Sequence, residues 1–323
     1  MLLNILFIVI GIVLVLQGAD KLTEGASALA RRMNVPEIVI GLTIVAAGTS
    51  APELFVSIVS ALKGTPDLAV GNVIGSNIFN SMLIVGCAAM VAPMVISPST
   101  VKKDIPFAVM ASVLLVILCL DSFSSLNIIG NSISRLDGIL LLTGFVIFMA
   151  YTFRVAKKNA AVVGHASERA NAESMPTWKG ILFVVVGLAC LVFGSNLFVG
   201  NASDLAASLG VSDGVIGLTV VAGGTSLPEL ATSVVAARKG QSAIAIGNVI
   251  GSNVFNVLLI LGITATICPM QIGGITMVDV GTMLISVILV WAFSYTKYTV
   301  ERWEGALLTI LFLGYMGWLL YNL

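Results

Sequence analysis

Two glutamates stand out because each lies deep inside a long apolar stretch of the sequence. Glu53 follows Gly-Thr-Ser-Ala-Pro, and Glu229 follows the closely similar Gly-Thr-Ser-Leu-Pro. A carboxylate at bilayer depth costs on the order of 3 kcal/mol or more unless it is paired, so such a residue usually has a function. A protonated glutamate that bonds a neighbouring helix is the structural alternative, but two glutamates in matching contexts favour a functional pair. The pair predicts a cation site.

The residues before each glutamate explain how the carboxylate is presented. Pro52 and Pro228 cannot donate a backbone hydrogen bond, so the carbonyls of Gly48 and Gly224, four residues earlier, are predicted to be free. Unpaired backbone at membrane depth is tolerated only where it lines a cavity or is buried in protein. A simple proline kink is the alternative, but it would not require the hydroxyl groups that lie beside it. These hydroxyl groups belong to Thr49, Ser50, Thr225 and Ser226.

Each following helix adds a stripe of polar residues. Asn72, Ser76 and Asn80 are spaced four apart and therefore share one helical face. The second copy of the stripe consists of Asn248, Ser252 and Asn256. Close helix packing is a second interpretation, because Gly71 and Gly75 form a small-xxx-small motif that is also repeated. Both interpretations apply: the glycines are expected to pack, and the amides beside them to supply oxygens.

The predicted ligands identify the class of ion. They are oxygens of carboxylates, hydroxyls, amides and backbone carbonyls, without His or Cys, which disfavours zinc, copper and iron. Calcium accepts about 6–8 oxygens in flexible geometry, and sodium also suits neutral oxygens. Two carboxylates balance one Ca²⁺ or two Na⁺, and competition for one pair of charges is what an exchanger needs. Ca²⁺ and Na⁺ are therefore expected as substrates, with no resident cofactor.

The composition predicts that a lipid bilayer surrounds these sites. Of the 323 residues, 58% are hydrophobic and 10% are charged, whereas soluble domains carry about 25% charged residues. No basic run suggests nucleic acid, and no obligate protein partner is evident. A helix needs about 20 apolar residues to cross a membrane. Ten stretches qualify, which predicts an all-α membrane protein of ten transmembrane helices: 2–18, 37–62, 68–92, 105–121, 137–153, 180–200, 214–237, 243–268, 280–296 and 305–321.

The chain also repeats itself. Gly41–Gly86 aligns without gaps onto Gly217–Gly262, and most positions are identical. The interpretation is a first five-helix repeat over 1–153, a linker over 154–179 and a second repeat over 180–323. Because five is odd, the second repeat must be inverted relative to the first. Inverted repeats are typical of secondary transporters, whose sites lie near the bilayer midplane between the repeats.

The charges in the connections predict the orientation. All but two of the 16 Lys and Arg residues fall on one predicted side of the membrane, and the exceptions are Lys63 and Arg135. Positive charge is retained in the cytoplasm. The linker 154–179 is therefore expected in the cytoplasm, and both termini are expected outside it, in a cell (inner or plasma) membrane.

The doubled motif resembles a known family. G-T-S-x-P-E followed by G-N-V-I-G-S-N-x-F-N, present in both halves, resembles the alpha repeats of prokaryotic members of the sodium/calcium exchanger family, within the calcium/cation antiporter superfamily. The resemblance implies ten helices, with ion sites among the second, third, seventh and eighth and a sliding gate made of the first and sixth. By position, Glu53 and Glu229 resemble the shared calcium ligands. The further residues that resemble ligands are Ala46, Thr49, Ser50, Ser76, Asn80, Ala222, Thr225, Ser226, Ser252 and Asn256.

The resemblance also bears on potassium. Some family members, including potassium-dependent ones, carry Asp at the position of Asn256. Here both Asn80 and Asn256 are neutral, so the charge of the site is expected to come from the two glutamates, without a potassium requirement.

The expected function is exchange of Ca²⁺ for Na⁺ by alternating access, and not an enzymatic reaction. A proton/calcium antiporter of the same fold is the first alternative. A passive cation channel is a second, although two carboxylates in one chain make no open ring. An intramembrane hydrolase is disfavoured, because no His lies in a predicted span to activate Ser76 or Ser252.

Overall fold

A computed structural model describes residues 2–123, 132–163, 175–210, 222–271 and 275–321 of the chain. Most of these residues are helical, which confirms the predicted all-α class. Twelve helices are described: α1 Leu2–Arg32, α2 Glu37–Thr49, α3 Ala51–Leu62, α4 Pro66–Val91, α5 Ile105–Phe123, α6 Arg135–Val163, α7 Thr177–Ser208, α8 Ala222–Thr225, α9 Leu227–Arg238, α10 Ser242–Ile267, α11 Met277–Tyr295 and α12 Arg302–Tyr321.

Several helices have the length and composition of membrane spans. Within the described ranges, seven helices are long and apolar enough to cross a bilayer, and α2 and α3 together form a further candidate span that is bent by 45°. Of the remaining predicted spans, 105–121 coincides with α5, whereas 214–237 begins in residues outside the described ranges. The count of ten spans, and their arrangement as two repeats, stays a prediction.

The first helix is longer than predicted. The predicted span ended at residue 18, which assigned Lys21, Arg31 and Arg32 to a loop between the first two spans, but α1 continues without a break to Arg32. The loop prediction was wrong because the segment contains no helix-breaking proline and keeps burying one face, including Leu22 and Ala26. Lys21 therefore lies on a helix. The chain turns only after Arg32, where Asn34 takes a positive φ of 53° and precedes Pro36.

Helices α1 and α7 run antiparallel in close contact along their length. Three glycines on each helix, spaced seven apart, face one another. The pairs are Gly11 with Gly194, Gly18 with Gly187 and Gly25 with Gly180. A Cβ added to Gly18 would lie 2.8 Å from the carbonyl oxygen of Gly187, and the reverse substitution gives the same distance. Only glycine allows the two backbones to approach this closely.

Glycines also bring the helices of the two halves together. Gly86 of α4 packs against Gly305 of α12, and Gly138 of α6 packs against Gly262 of α10. In α10, a Cβ on Gly251 would come within 2.9 Å of the backbone of α2 at Leu42. The predicted packing role of this small-residue motif is confirmed for the second copy.

Within the described ranges, four short strands join connections between helices in pairs. The strands are β1 Met94–Val95, β2 Ser132–Ile133, β3 Met270–Gln271 and β4 Thr299–Val300. Strand β1 pairs with β4, and β2 pairs with β3, both antiparallel. Each pair links a connection from one half of the chain to a connection from the other half.

Candidate ion-binding site

A break in the helix presents each glutamate at the start of a new helix. Ser50 has φ −82° and ψ 6°, and it separates α2 from α3, which begins with Ala51 and Pro52 and carries Glu53 in its first turn. Ser226, with φ −90° and ψ 7°, precedes α9 in the same way. The positive end of a helix dipole favours a carboxylate in the first turn. Local sequence thus places both carboxylates at helix N-termini.

Each carboxylate is held by a serine from the opposite half of the chain. Ser50 donates from Oγ to Oε1 of Glu229 at 3.0 Å, and Ser226 donates to Oε1 of Glu53 at 3.1 Å. Ser226 Oγ also lies 3.4 Å from Ser76 Oγ on α4. Both glutamates are 1% exposed, and Oε2 of each has no hydrogen-bond partner among the described residues. Two carboxylate oxygens are therefore buried and available.

The same two hydrogen bonds brace the glutamate helix in each copy of the repeat. Asn72 donates from Nδ2 to the backbone carbonyl of Glu53 at 3.3 Å and to Ser57 Oγ at 3.0 Å. Asn248 makes the same two contacts in the second copy, at the same distances. These amides turn their nitrogens toward the glutamate helix, so their first role is to position it.

The other predicted residues lie around the two carboxylates. Thr49 donates from Oγ1 to the Val45 carbonyl at 3.1 Å and lies 3.1 Å from Asn248 Oδ1, and the Ala46 carbonyl accepts the N–H of Ser50 at 3.0 Å. In the second half, Ala222 begins α8, Thr225 interacts with the Glu53 side chain, and Ser252 lies beside Glu229.

Asn77 and Asn253, which were not among the predicted site residues, connect the two halves of the chain. Asn80 donates from Nδ2 to Asn253 Oδ1 at 3.1 Å, and Asn256 donates from Nδ2 to Asn77 Oδ1 at 3.1 Å. The stripe of every fourth residue passed over Asn77 and Asn253. Their signal was present nonetheless, since both are amides in apolar helices and both recur in the repeated motif.

Several buried oxygens around the glutamates lack a partner among the described residues. Buried polar atoms are nearly always hydrogen-bonded, because leaving one unpaired costs free energy. The oxygens in question are Glu53 Oε2, Glu229 Oε2, Asn80 Oδ1, Asn256 Oδ1 and Ser252 Oγ. No group of three or more His, Cys, Asp or Glu side chains that could hold a metal occurs in the described part of the chain. A set of carboxylate, amide and hydroxyl oxygens suits a hard cation.

The sodium/calcium exchanger protein family matches residues 3–154 and 179–321, which is nearly the whole chain. The chain belongs to the sodium/calcium exchanger family. It is 36% identical to the putative antiporter CaxA of Alkalimonas amylolytica, with 98% of each chain covered. It is 33% identical to the sodium/calcium exchanger MaX1 of Methanosarcina acetivorans, with 98% of this chain and 99% of that one covered.

A solved structure of the sodium-calcium exchanger NCX_Mj has the same fold as this exchanger. The TM-score is 0.81 at 28% sequence identity, and the comparison covers 98% of both chains. Together with the apolar helices, these likenesses make the protein an integral membrane cation antiporter of a transporter family, as predicted.

Proposed function

We propose that this exchanger moves Ca²⁺ in one direction and Na⁺ in the other at one shared site between its two halves. The observation that carries the proposal is the pair Glu53 and Glu229. Each is buried, each has one oxygen held by a serine of the opposite half, and each keeps its second oxygen without a partner in the described part of the chain. Two such carboxylates need counter-charge, and one Ca²⁺ or two Na⁺ supply it.

The proposed ligands include backbone and side-chain oxygens from both halves. We assign the carboxylates of Glu53 and Glu229 as ligands shared by both ions. The remaining proposed ligands are the carbonyls of Ala46 and Ala222 and the side chains of Thr49, Ser50, Thr225, Ser226, Ser76, Ser252, Asn80 and Asn256. The unpartnered oxygens of Asn80, Asn256 and Ser252 support this assignment, and the flexible oxygen coordination of Ca²⁺ accommodates such a mixed set.

Competition follows from the charge of the site. Ca²⁺ at a site of two carboxylates leaves no negative charge to attract Na⁺, and two Na⁺ leave none for Ca²⁺. Because uncompensated charge inside a membrane is costly, we propose that the protein reorients when it is loaded with either ion. Alternating access at a midplane site, as in other inverted-repeat transporters, then couples the two fluxes. The ions are substrates, and we propose no resident cofactor.

We further propose that residues 1–153 and 180–323 are inverted five-helix repeats joined by a cytoplasmic linker, with both termini outside the cytoplasm. The paired strands support this arrangement. Strands β1 and β4 lie in connections that the charge distribution assigns to the cytoplasm, and β2 and β3 lie in connections that it assigns to the other side. Exchange of the two halves converts one pair into the other, as an inverted repeat requires.

The deciding experiment is calcium flux in proteoliposomes of purified protein, measured with different ions on the far side. Calcium loaded inside should leave when Na⁺ is present outside, and it should stay when only a non-exchangeable ion such as choline is present. Flux that follows a proton gradient and ignores Na⁺ would identify the proton/calcium antiporter instead. A steady leak without a counter-ion would identify a channel. Either result would overturn the proposal.

A further inference from the structure

We propose that Asn77 and Asn253 are positioning residues that orient the ligand amides of the opposite half, Asn77 acting on Asn256 and Asn253 acting on Asn80. This inference rests on the proposed function, because it takes Asn80 and Asn256 as ion ligands. Neither Asn77 nor Asn253 is itself assigned to the ion. Both are buried at the contact of α4 with α10.

An asparagine side chain can serve as a cation ligand only when its oxygen faces the ion. The amide has an acceptor at one end and a donor at the other, and a flip of the group exchanges them. In Asn80 and Asn256 the nitrogen is engaged, and the oxygen is the atom without a described partner. The residue that accepts the hydrogen bond from Nδ2 therefore keeps Oδ1 of the same amide available to an ion.

The orientation of Asn77 is determined by groups that can only accept a hydrogen bond. Its Nδ2 lies 3.4 Å from the backbone carbonyl oxygen of Asn253 and 3.9 Å from Sδ of Met283. Turning the amide over would place oxygen against oxygen. Asn77 must therefore present Oδ1 to Asn256, and Asn256 donates to it from Nδ2 at 3.1 Å. The oxygen of Asn256 is left facing away from Asn77.

The Asn253 nitrogen has a hydroxyl as its partner. Asn253 donates from Nδ2 to Ser81 Oγ at 2.8 Å, and its Oδ1 accepts the nitrogen of Asn80 at 3.1 Å. The position equivalent to Ser81 in the second copy is Val257, so this anchor exists in only one half. The two chains of amides cross between the halves, because an asparagine of each repeat sets the ligand oxygen of the other.

Two roles for Asn77 and Asn253 lead to different measurements. If the pair only joined α4 to α10, its removal would lower stability and leave ion affinity unchanged. If they are positioning residues, removing either side chain lowers ion affinity. The loss then depends on the ligand asparagine that the removed side chain contacts. Double-mutant cycles separate the two roles, because residues that act through one another are not additive.

The readout is the calcium concentration that gives half of the calcium-induced rise in Tm of the purified protein. This value reports binding even in variants that no longer transport. Asn77→Ala and Asn253→Ala should each raise it roughly tenfold, the effect of losing one oriented hydrogen-bonded ligand. Asn77→Ala should add nothing in an Asn256→Ala background but its full effect in an Asn80→Ala background. Asn253→Ala should show the opposite pattern.

The matched control is Asn201→Ala, which removes an amide that donates to the Leu197 carbonyl within α7 at 2.8 Å and should leave the half-saturating calcium unchanged. If Asn253→Ala fails to fold, Ser81→Ala removes only the hydroxyl that Asn253 contacts and should raise the value in the same direction, but not in an Asn80→Ala background. If Asn77→Ala fails to fold, the cycle of Asn253 with Asn80 tests the inference. Equal calcium affinity in the variants and the wild type, or additive effects in all the cycles, would overturn the inference. Failure of the wild type to bind calcium would instead overturn the proposed function.

Discussion

At the scale of single residues, each carboxylate is contributed by one half of the protein and hydrogen-bonded by the other half. Glu53 and Glu229 lie on separate helices, yet each accepts a hydrogen bond from a serine of the other half. In the proposed site the charge comes from these two residues, and the amides and hydroxyls around them are neutral. Neutralising one carboxylate would therefore remove half of the charge that the ions must balance.

Glu53→Gln or Glu229→Gln should each abolish sodium-dependent uptake of radioactive calcium into proteoliposomes. Glutamine keeps size and polarity but removes half of the negative charge, so one Ca²⁺ is no longer balanced. The control is Glu301→Gln, which removes a carboxylate that lies 3.7 Å from Lys297 and is 40% exposed; uptake should stay near the wild-type rate. Near-normal uptake by both site variants would place the site elsewhere.

Asn256→Asp should make calcium exchange depend on pH or on potassium. The new carboxylate would face Oδ1 of Asn77, where the Asn256 nitrogen now donates at 3.1 Å, and would add a third negative charge to a buried site. Like charges in a low dielectric repel, so the group must take a proton or a further cation. Calcium flux with and without potassium, at several pH values, is the measurement. The wild type should need no potassium, and a collapse of its flux when potassium is removed would refute the charge assignment.

At the scale of helices, glycine determines which helices pack most closely. The contact of α1 with α7 repeats every seven residues, and a Cβ added to any of its glycines except Gly180 would lie within 3.0 Å of an atom of the other helix. The two helices also project beyond their predicted spans, α1 to Arg32 and α7 to Ser208. A contact of this length and closeness resists separation.

Gly18→Ala should lower the stability of the protein by about 1–3 kcal/mol, the usual effect of overpacking. Alanine is the better helix former by about 1 kcal/mol, but its Cβ would meet the Gly187 carbonyl oxygen at 2.8 Å. Gly314→Ala is the matched control, because Gly314 is exposed on α12 with no atom within 4 Å of the added Cβ. Thermal unfolding in detergent should show a lower Tm for the first variant only. Equal Tm values would mean that the helices can move apart at no cost.

At the scale of the whole molecule, the two halves of the chain resemble one another in contacts as well as in sequence. Contacts recur in exchanged form: Gly86 packs on Gly305 in one place and Gly262 on Gly138 in another. The strand pairs follow the same rule. The proposed site at the centre of such an arrangement would have matching halves on either side, which suits the proposed alternating access.

Reporter fusions at Leu323 and within 154–179 should show opposite sides of the membrane. The distribution of Lys and Arg predicts the linker in the cytoplasm and the C-terminus outside it. A reporter that is active only in the periplasm, combined with one that is active only in the cytoplasm, gives two independent answers at each position. A cytoplasmic C-terminus would contradict the inverted arrangement of the repeats.

Much of this protein could be predicted from the sequence, because the relevant signals are local. Long apolar stretches indicate a membrane protein whatever their packing, and the closely similar motifs around Glu53 and Glu229 predict a duplicated cation site. Pro52 and Pro228 mark the helix breaks for a covalent reason, since proline has no N–H. The family and the all-α class followed from these features.

Only the tertiary structure decided how these parts meet. Ser50 and Glu229 are 179 residues apart, and no local pattern states which hydroxyl holds which carboxylate. The true end of α1 depended on a face buried against α7, and the stripe of every fourth residue missed Asn77 and Asn253 because it followed a single helix. In addition, Asn80 and Asn256 lie in wider, π-helical turns at Phe79–Ile84 and Phe255–Ile260, which shift the helical register. Periodicity reports the face that a helix buries, whereas partners across the halves are determined by how closely the helices pack.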